Sequence, residues 1–275
     1  MTDRRYDVLG LDVRVVCDDV EAQPALDDLL EPFAVGPPAD GAPRCRFDLT
    51  VDLNGRRVLL RDGDLVAYDP SWSSIVGALL VALNRDAIDA FAGFAAHAGC
   101  VASGRDVIAF PGVSGAGKTT LTAACLLHDL DYVSDEALCI HRAGRDQVVP
   151  YPRPLALDRA AWQLLARTDL GDAGLDVGDD ESIVRADRIG PGVASGELRV
   201  AHIVELRRRA GRPRLVPLPR QQGLASLLSM SFNHFKEPRE SFEVASILAA
   251  GSYSWRLEYA DPLDAAALLR DELAA

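Results

Sequence analysis

The stretch Gly112-Val113-Ser114-Gly115-Ala116-Gly117-Lys118-Thr119 satisfies G-x-x-x-x-G-K-[ST] at every position, the pattern of a phosphate-binding loop. Each residue type has a reason. Glycines let the backbone turn with positive φ and bring successive N–H groups toward phosphate oxygens. Those donors stand at a helix N-terminus, where unpaired amides and the helix dipole both favour an anion. The Lys118 ammonium should reach the β- and γ-phosphates, and the Thr119 hydroxyl a Mg²⁺ ion. The surroundings agree: an apolar run at 107–110 precedes the loop, and 119–124 (TTLTAA) reads as the first turns of a helix. Gly112, Val113, Ser114, Gly115, Ala116, Gly117, Lys118, Thr119 and Thr120 are therefore the expected nucleotide contacts, with ATP and Mg²⁺ the expected cofactors. Strand, loop and helix in this order point to an α/β fold.

Next outward lies an acidic pair. Asp135 and Glu136 follow a short strand, 132–134, one helix and one turn beyond the loop. A nucleotide-bound Mg²⁺ usually takes a protein carboxylate near the strand end beside the loop. A kinase also needs a group that accepts the proton of the attacking hydroxyl. Asp135 and Glu136 are candidates for both tasks, as catalytic and as metal-linked acids. Their local composition alone would make them a solvated pair. His97, at the start of the strand before the loop, reads on its own as a satisfied structural histidine. Arg153, fixed between Pro152 and Pro154, is open between a phosphate or substrate contact and a surface arginine. The basic run 207–214 reads as a solvated hairpin turn. Asp176, Asp179, Asp180 and Glu181 read as the acids that keep an exposed loop soluble.

Farther out, residues 1–95 read as a small α+β subdomain. A strand is expected over 6–16, then a Pro/Gly/Ala-rich loop over 31–44. Strands at 46–53 and 57–60 flank Asn54-Gly55, a strong hairpin signal, and 64–68 continues the meander. Residues 71–95 have helical spacing, broken once near Asn84. From 96 to 275 the pattern is that of the nucleotide domain: strands at 97–102 and 106–110, a helix over 118–128 and strands at 132–136 and 138–141. Residues 150–154 are extended because three prolines in five residues forbid a helix. A helix follows over 157–167 with Asp158 as N-cap. Residues 168–196, rich in Gly and Asp, read as a long irregular loop. A strand at 200–206, helices at 223–232 and 241–250, a strand at 253–259 and a helix at 262–273 complete the chain.

Composition excludes several classes. Across 275 residues the net charge is -12, which argues against an electrostatic nucleic-acid binder. Five scattered cysteines without a C-x-x-C pair read as reduced thiols, not a disulfide framework or a zinc site. No apolar run reaches the length of a membrane span, and the first ten residues lack a signal-peptide core. A cytoplasmic protein is the expectation.

His97-Ala98-Gly99, the loop with Leu121-Thr122, Tyr132-Val133-Ser134-Asp135-Glu136 and Pro150-Tyr151-Pro152-Arg153-Pro154-Leu155, taken in order, resemble the kinase domain of HPr kinase/phosphorylase. More specifically, they resemble the HPr-kinase-like proteins of ribosomal-peptide pathways, including kinases of lasso-peptide precursors. The resemblance covers residues 95–269. It implies a phosphoenolpyruvate-carboxykinase-like P-loop kinase domain with a mixed twisted sheet, and transfer of the γ-phosphoryl group of ATP to a serine hydroxyl of a peptide or small protein. It gives Asp135 the role of base or metal-linked acid, places Glu136 where the family has a second aspartate, and gives His97 a functional role. The family's arginine- and glycine-rich phosphorolysis signature has no counterpart here. Ser231–Lys236 (SFNHFK) resembles a later family element only loosely. A kinase of a small hydroxylated metabolite and a regulatory nucleotidase are the rival expectations. Nucleotide preference and oligomeric state, a homo-oligomer included, are left open.

Overall fold

Alternation of buried and solvated side chains builds the N-terminal elements. In β2 (Leu11–Cys17) every second residue is buried, as a strand with one face on a core requires. It follows β1 (Thr2–Val8), and the two pair antiparallel from Thr2↔Cys17 to Val8↔Leu11. The expected single strand over 6–16 is thus a hairpin. Its turn is Leu9-Gly10, with φ of 56° and 83°; the leucine hides the turn, because β-hairpin turns favour Asn, Asp or Gly there. After α1 (Gln23–Leu29) come β3 (Cys45–Val51), β4 (Arg57–Arg61) and β5 (Asp64–Asp69), giving one sheet in the order β1-β2-β3-β4-β5. The β3–β4 turn holds the expected Asn54-Gly55, where the Asp52 carboxylate accepts from the N–H groups of Asn54 and Arg56. Helix α2 (Trp72–Ala90) buries Ile75, Val76, Leu79, Leu80 and Leu83, and runs unbroken through Asn84. The structure, a computed structural model, describes residues 2–35, 43–166, 174–177 and 180–274.

The chain divides into two compact units, Met1–Phe91 with Gly174–Ile183, and Ala92–Ala173 with Val184–Ala275. The expected boundary at 95/96 falls inside β6 (Gly93–Ser103), the first strand of the second unit. Then follow β7 (Asp106–Pro111), α3 (Lys118–Leu126), β8 (Asp131–Ser134), β9 (Ala137–His141), β10 (Gln147–Val149), β11 (Leu155–Asp158) and α4 (Arg159–Leu164). Asp158 caps α4 as expected, accepting from the Ala161 N–H at 2.7 Å. The expected irregular stretch is partly ordered: β12 (Leu175–Val177) and β13 (Glu181–Val184) pair from Leu175↔Ile183 to Val177↔Glu181. That ladder belongs to the first unit, where a methyl on Gly77 of α2 would lie 2.9 Å from Val177 Cγ1. Asp179 and residues 168–173 lie outside the described residues. The chain closes with β14 (Leu198–Arg208), β15 (Arg214–Leu218), α5 (Arg220–Ser229), α6 (Pro238–Gly251), β16 (Tyr253–Tyr259) and α7 (Pro262–Leu273).

The second unit is a mixed α/β layer structure. Its sheet runs β10-β9-β6-β7-β14-β16-β15, with β8 also on β6. Strands β7, β14 and β16 are mutually parallel, and β6 and β15 flank them antiparallel. Strand β7 divides its side chains between the two faces. Ile108 and Phe110 join a core with Leu121 of α3 and Leu269 of α7, while Val107 and Ala109 join one with Leu227 of α5 and Leu248 of α6. A strand buried on both faces reads as a continuous apolar run, as 107–110 does. The parallel strands end toward the same edge of the sheet, at Pro111, Arg208 and Tyr259, the edge where ligands gather in open α/β sheets. No helix among the described residues is long and apolar enough to cross a membrane. All five cysteines are buried free thiols.

Candidate functional site

The glycine loop leaves the end of β7 and enters α3 through two left-handed residues, Gly115 at φ 79° and Gly117 at φ 91°. An L side chain is strained at both. Lys118 follows at the first turn of α3, only 5% exposed. Its ammonium donates to the carbonyls of Gly112 and Val113 and faces His97 Nε2, each at 2.9 Å. Three protons therefore meet three acceptors. Burial pulls the Lys118 pKa down, with Glu136 and Asp135 working the other way.

These partners fix the His97 ring. Its Nδ1 stands 3.0 Å from the Glu136 carbonyl, which can only accept, so the proton sits on Nδ1 and Nε2 receives Lys118. His97 is the fifth residue of β6 rather than its first, and its ring meets Phe232 edge-on at 5.6 Å. The 231–236 segment reaches this strand through the Ala96↔Ser231 bridge. The Phe232 N–H donates to the Ala95 carbonyl and the Asn233 amide to that of Gly93. The loose resemblance noted there thus corresponds to a segment docked beside His97.

Asp135 and Glu136 do not end a strand. They occupy a break in a ladder: β8 and β9 both pair antiparallel with β6, at Cys100↔Ser134 and His97↔Ala137. Such irregularities re-aim side chains. The Ser134 hydroxyl holds the turn by accepting from the N–H groups of Glu136 and Ala137. Asp135 turns inward, 4% exposed, where the Thr119 hydroxyl is among the groups that act to lower its pKa. Glu136 turns to Arg153, whose Nη1 lies 2.9 Å away. Arg153 Nε lies 4.0 Å from Asp135. The rigid Pro152-Arg153-Pro154 segment therefore presents its cation to the acidic pair, so Arg153 is not the surface arginine of one reading, and its partners are carboxylates rather than the phosphate of the other. Burial acts to lower the Arg153 pKa, and Asp135, Tyr151 and Glu136 outweigh it.

Tyr132 completes the network, unassigned in the sequence. Its hydroxyl lies 2.9 Å from Asp135 Oδ1 and 2.8 Å from the Arg153 carbonyl, and accepts from the Asp135 N–H. One phenolic proton faces two acceptors, so the network is fully satisfied only when Asp135 itself carries a proton. Its pKa moves accordingly: burial pushes it up, Arg153 opposes, and Glu136 adds to the rise. A buried carboxylate with a raised pKa is a stronger base than one in water.

The site thus joins Lys118 with His97, Tyr132 with Asp135, and Glu136 with Arg153. Val113, Ser114, Gly115, Ala116 and Thr120 remain in the loop and first helical turn, at least partly exposed. The donors suit Mg²⁺, a hard ion that takes hydroxyl and carboxylate oxygens. Among the described residues no group of three or more His, Cys, Asp or Glu could hold a metal alone. Thr119 and Asp135 would therefore share such an ion with phosphate oxygens, while Glu136 serves as the counter-ion of Arg153. The basic run 207–214 is not a hairpin turn, because β16 lies between β14 and β15. Arg207, Arg209 and Arg214 converge on the Glu258 carboxylate at 3.4, 2.5 and 2.8 Å.

The chain matches no known family model and no curated protein.

Proposed function

We propose that this chain is an ATP-dependent kinase that moves the γ-phosphoryl group of ATP to a serine hydroxyl of a peptide or small protein, as an HPr-kinase-like enzyme of the cytoplasm. The observation that carries this reading is a buried Lys118 whose protons already point at loop carbonyls and His97, at a loop whose downstream acid, Asp135, is itself buried. Loop amides and Lys118 would bind the triphosphate and hold it in line with the acceptor. Mg²⁺, when bound by Thr119 and Asp135, would neutralise charge on the phosphate oxygens. The acceptor oxygen would form its bond to the γ-phosphorus as the bond to the bridging oxygen of ADP breaks. Its proton would pass to Asp135. His97 orients Lys118 and touches no reacting atom in this scheme.

Lys118→Ala is expected to abolish transfer and weaken Mg-ATP binding while the fold survives, measured by calorimetric titration and labelled ATP. Equal affinity and turnover in both proteins would remove the nucleotide assignment. Labelled ATP offered with a peptide panel, then with free serine, threonine and polyols, separates the acceptor classes. Label in the small molecules alone would make the chain a metabolite kinase. Steady hydrolysis with neither panel labelled would make it a regulatory nucleotidase.

A further inference from the structure

Strand alternation sorts the arginines at the end of β14. Arg207 pairs in register with Glu258, and Arg208 with Tyr259. Neighbouring residues of a strand face opposite ways, so Arg208 leaves the Glu258 cluster and turns to the face that carries α3. There its guanidinium lies over the Tyr259 ring, 4.6 Å from the centroid, and Nη1 donates to the Ala260 carbonyl at 2.8 Å. One face of the planar cation and one of its donors are thereby used. The Nε–Nη2 edge points at the phosphate loop: a methyl on Gly117 would lie 3.3 Å from Nη2 and 3.6 Å from Nε. The Tyr259 hydroxyl would lie 3.2 Å from the same point. Tyr259 is fully buried, yet its hydroxyl has no hydrogen-bond partner. A buried donor left unmade is costly and calls for an explanation. Among the described residues no carboxylate pairs with Arg208.

Resting on the nucleotide reading above, we propose that Arg208, stacked on Tyr259, is a second phosphate-binding arm. Its Nε–Nη2 edge and the Tyr259 hydroxyl donate to a phosphoryl oxygen of a nucleotide seated at Gly117. Two parallel N–H donors on one edge match phosphate geometry, which a lysine cannot reproduce. The stacking and the Ala260 bond hold that edge in place, so little rotamer freedom is lost on binding. Gly117 is required twice, for its positive φ and because a side chain would occupy the space between loop and guanidinium.

Full-length protein and its Arg208→Gln, Arg208→Lys and Tyr259→Phe variants are titrated calorimetrically with Mg-ATP and with magnesium tripolyphosphate, which has no base or ribose. Arg208→Gln is expected to weaken both ligands by at least about 10-fold, the loss of one charge-assisted contact. Arg208→Lys is expected to recover only part of this, and Tyr259→Phe to weaken both by roughly 3-fold with an unchanged melting temperature. Unchanged affinity in Arg208→Gln, beside wild-type protein that binds Mg-ATP, overturns the arm alone. Loss toward Mg-ATP with tripolyphosphate unaffected also overturns it, because Arg208 would then serve the base. Wild-type protein that binds neither ligand overturns the nucleotide reading itself.

Discussion

Asp135 carries two opposed demands. As the proposed base it needs burial and a raised pKa; as part of a fold it makes that burial expensive. The sign follows from linkage. Its folded pKa lies above the ordinary value of 3.8, so its contribution to stability is fullest below that pH and is lost as pH rises through the folded value. Asp135→Asn should therefore cut phosphoryl transfer by at least about 10²-fold and, at pH 7, raise the melting temperature. That gain should disappear near pH 3.8, where the wild-type carboxyl is protonated in the unfolded chain as well. A variant that loses stability at pH 7 would show the carboxylate to be worth more to the fold than its burial costs. Lys118, Thr119 and Asp135 were legible because a loop motif and its downstream acid have fixed chemistry. Arg153 was left open, since its meeting with Glu136 is a tertiary event. Arg207, Arg208 and Arg209 are exposed, as a run of arginines suggests, and only strand register sets Arg208 apart from its neighbours.

Between β6 and α3, a glycine sets how closely helix and strand approach. A methyl on Gly99 would stand 2.7 Å from Thr122 Oγ1 and 3.4 Å from Lys118 Cβ. Gly99→Ala should push the first turns of α3 off the sheet and cost about 1–3 kcal/mol, as overpacking does. Because Lys118 moves with that turn, Mg-ATP affinity should fall alongside the melting temperature. Gly251→Ala, where a methyl meets nothing within 4 Å, is the control expected to leave affinity unchanged and the melting temperature no lower, since alanine suits the end of a helix at least as well as glycine. If the two substitutions behave alike in thermal melts and titration, the close approach is not what Gly99 provides. Most elements were readable from pattern, β7 and α7 among them. The failures have physical causes. The Leu9-Gly10 turn puts a leucine at positive φ where Asn, Asp or Gly is usual, and the β12–β13 ladder is short and set among glycines and acids. The latter also gives strand structure to part of the stretch 168–196 that reads from sequence as a long irregular loop.

The whole molecule should respond to acid through a cluster remote in sequence from the loop. Arg209 and Arg214 hold the Glu258 pKa down to about 2, from an ordinary 4.5, chiefly through their hydrogen bonds, with burial opposing. A depressed carboxyl stabilises fully above the unfolded value and loses its contribution as pH falls toward the folded one. Unfolding followed by circular dichroism should therefore show stability lost between about pH 4.5 and pH 2, and Glu258→Gln should flatten that interval. Superimposable acid profiles would remove Glu258 from the account. Local pattern could not reveal the largest feature of the architecture, since membership of a unit is decided by contacts between distant segments. The first unit takes back Gly174–Ile183 after the chain has left it at Phe91. On the ribosome, where domains tend to form in order from the N-terminus, this delays the first unit. It cannot finish until the segment Ala92–Ala173 of the second unit has been made. It must wait, with the Gly77 surface that receives Val177 uncovered, until residue 183 has been synthesised and has cleared the exit tunnel.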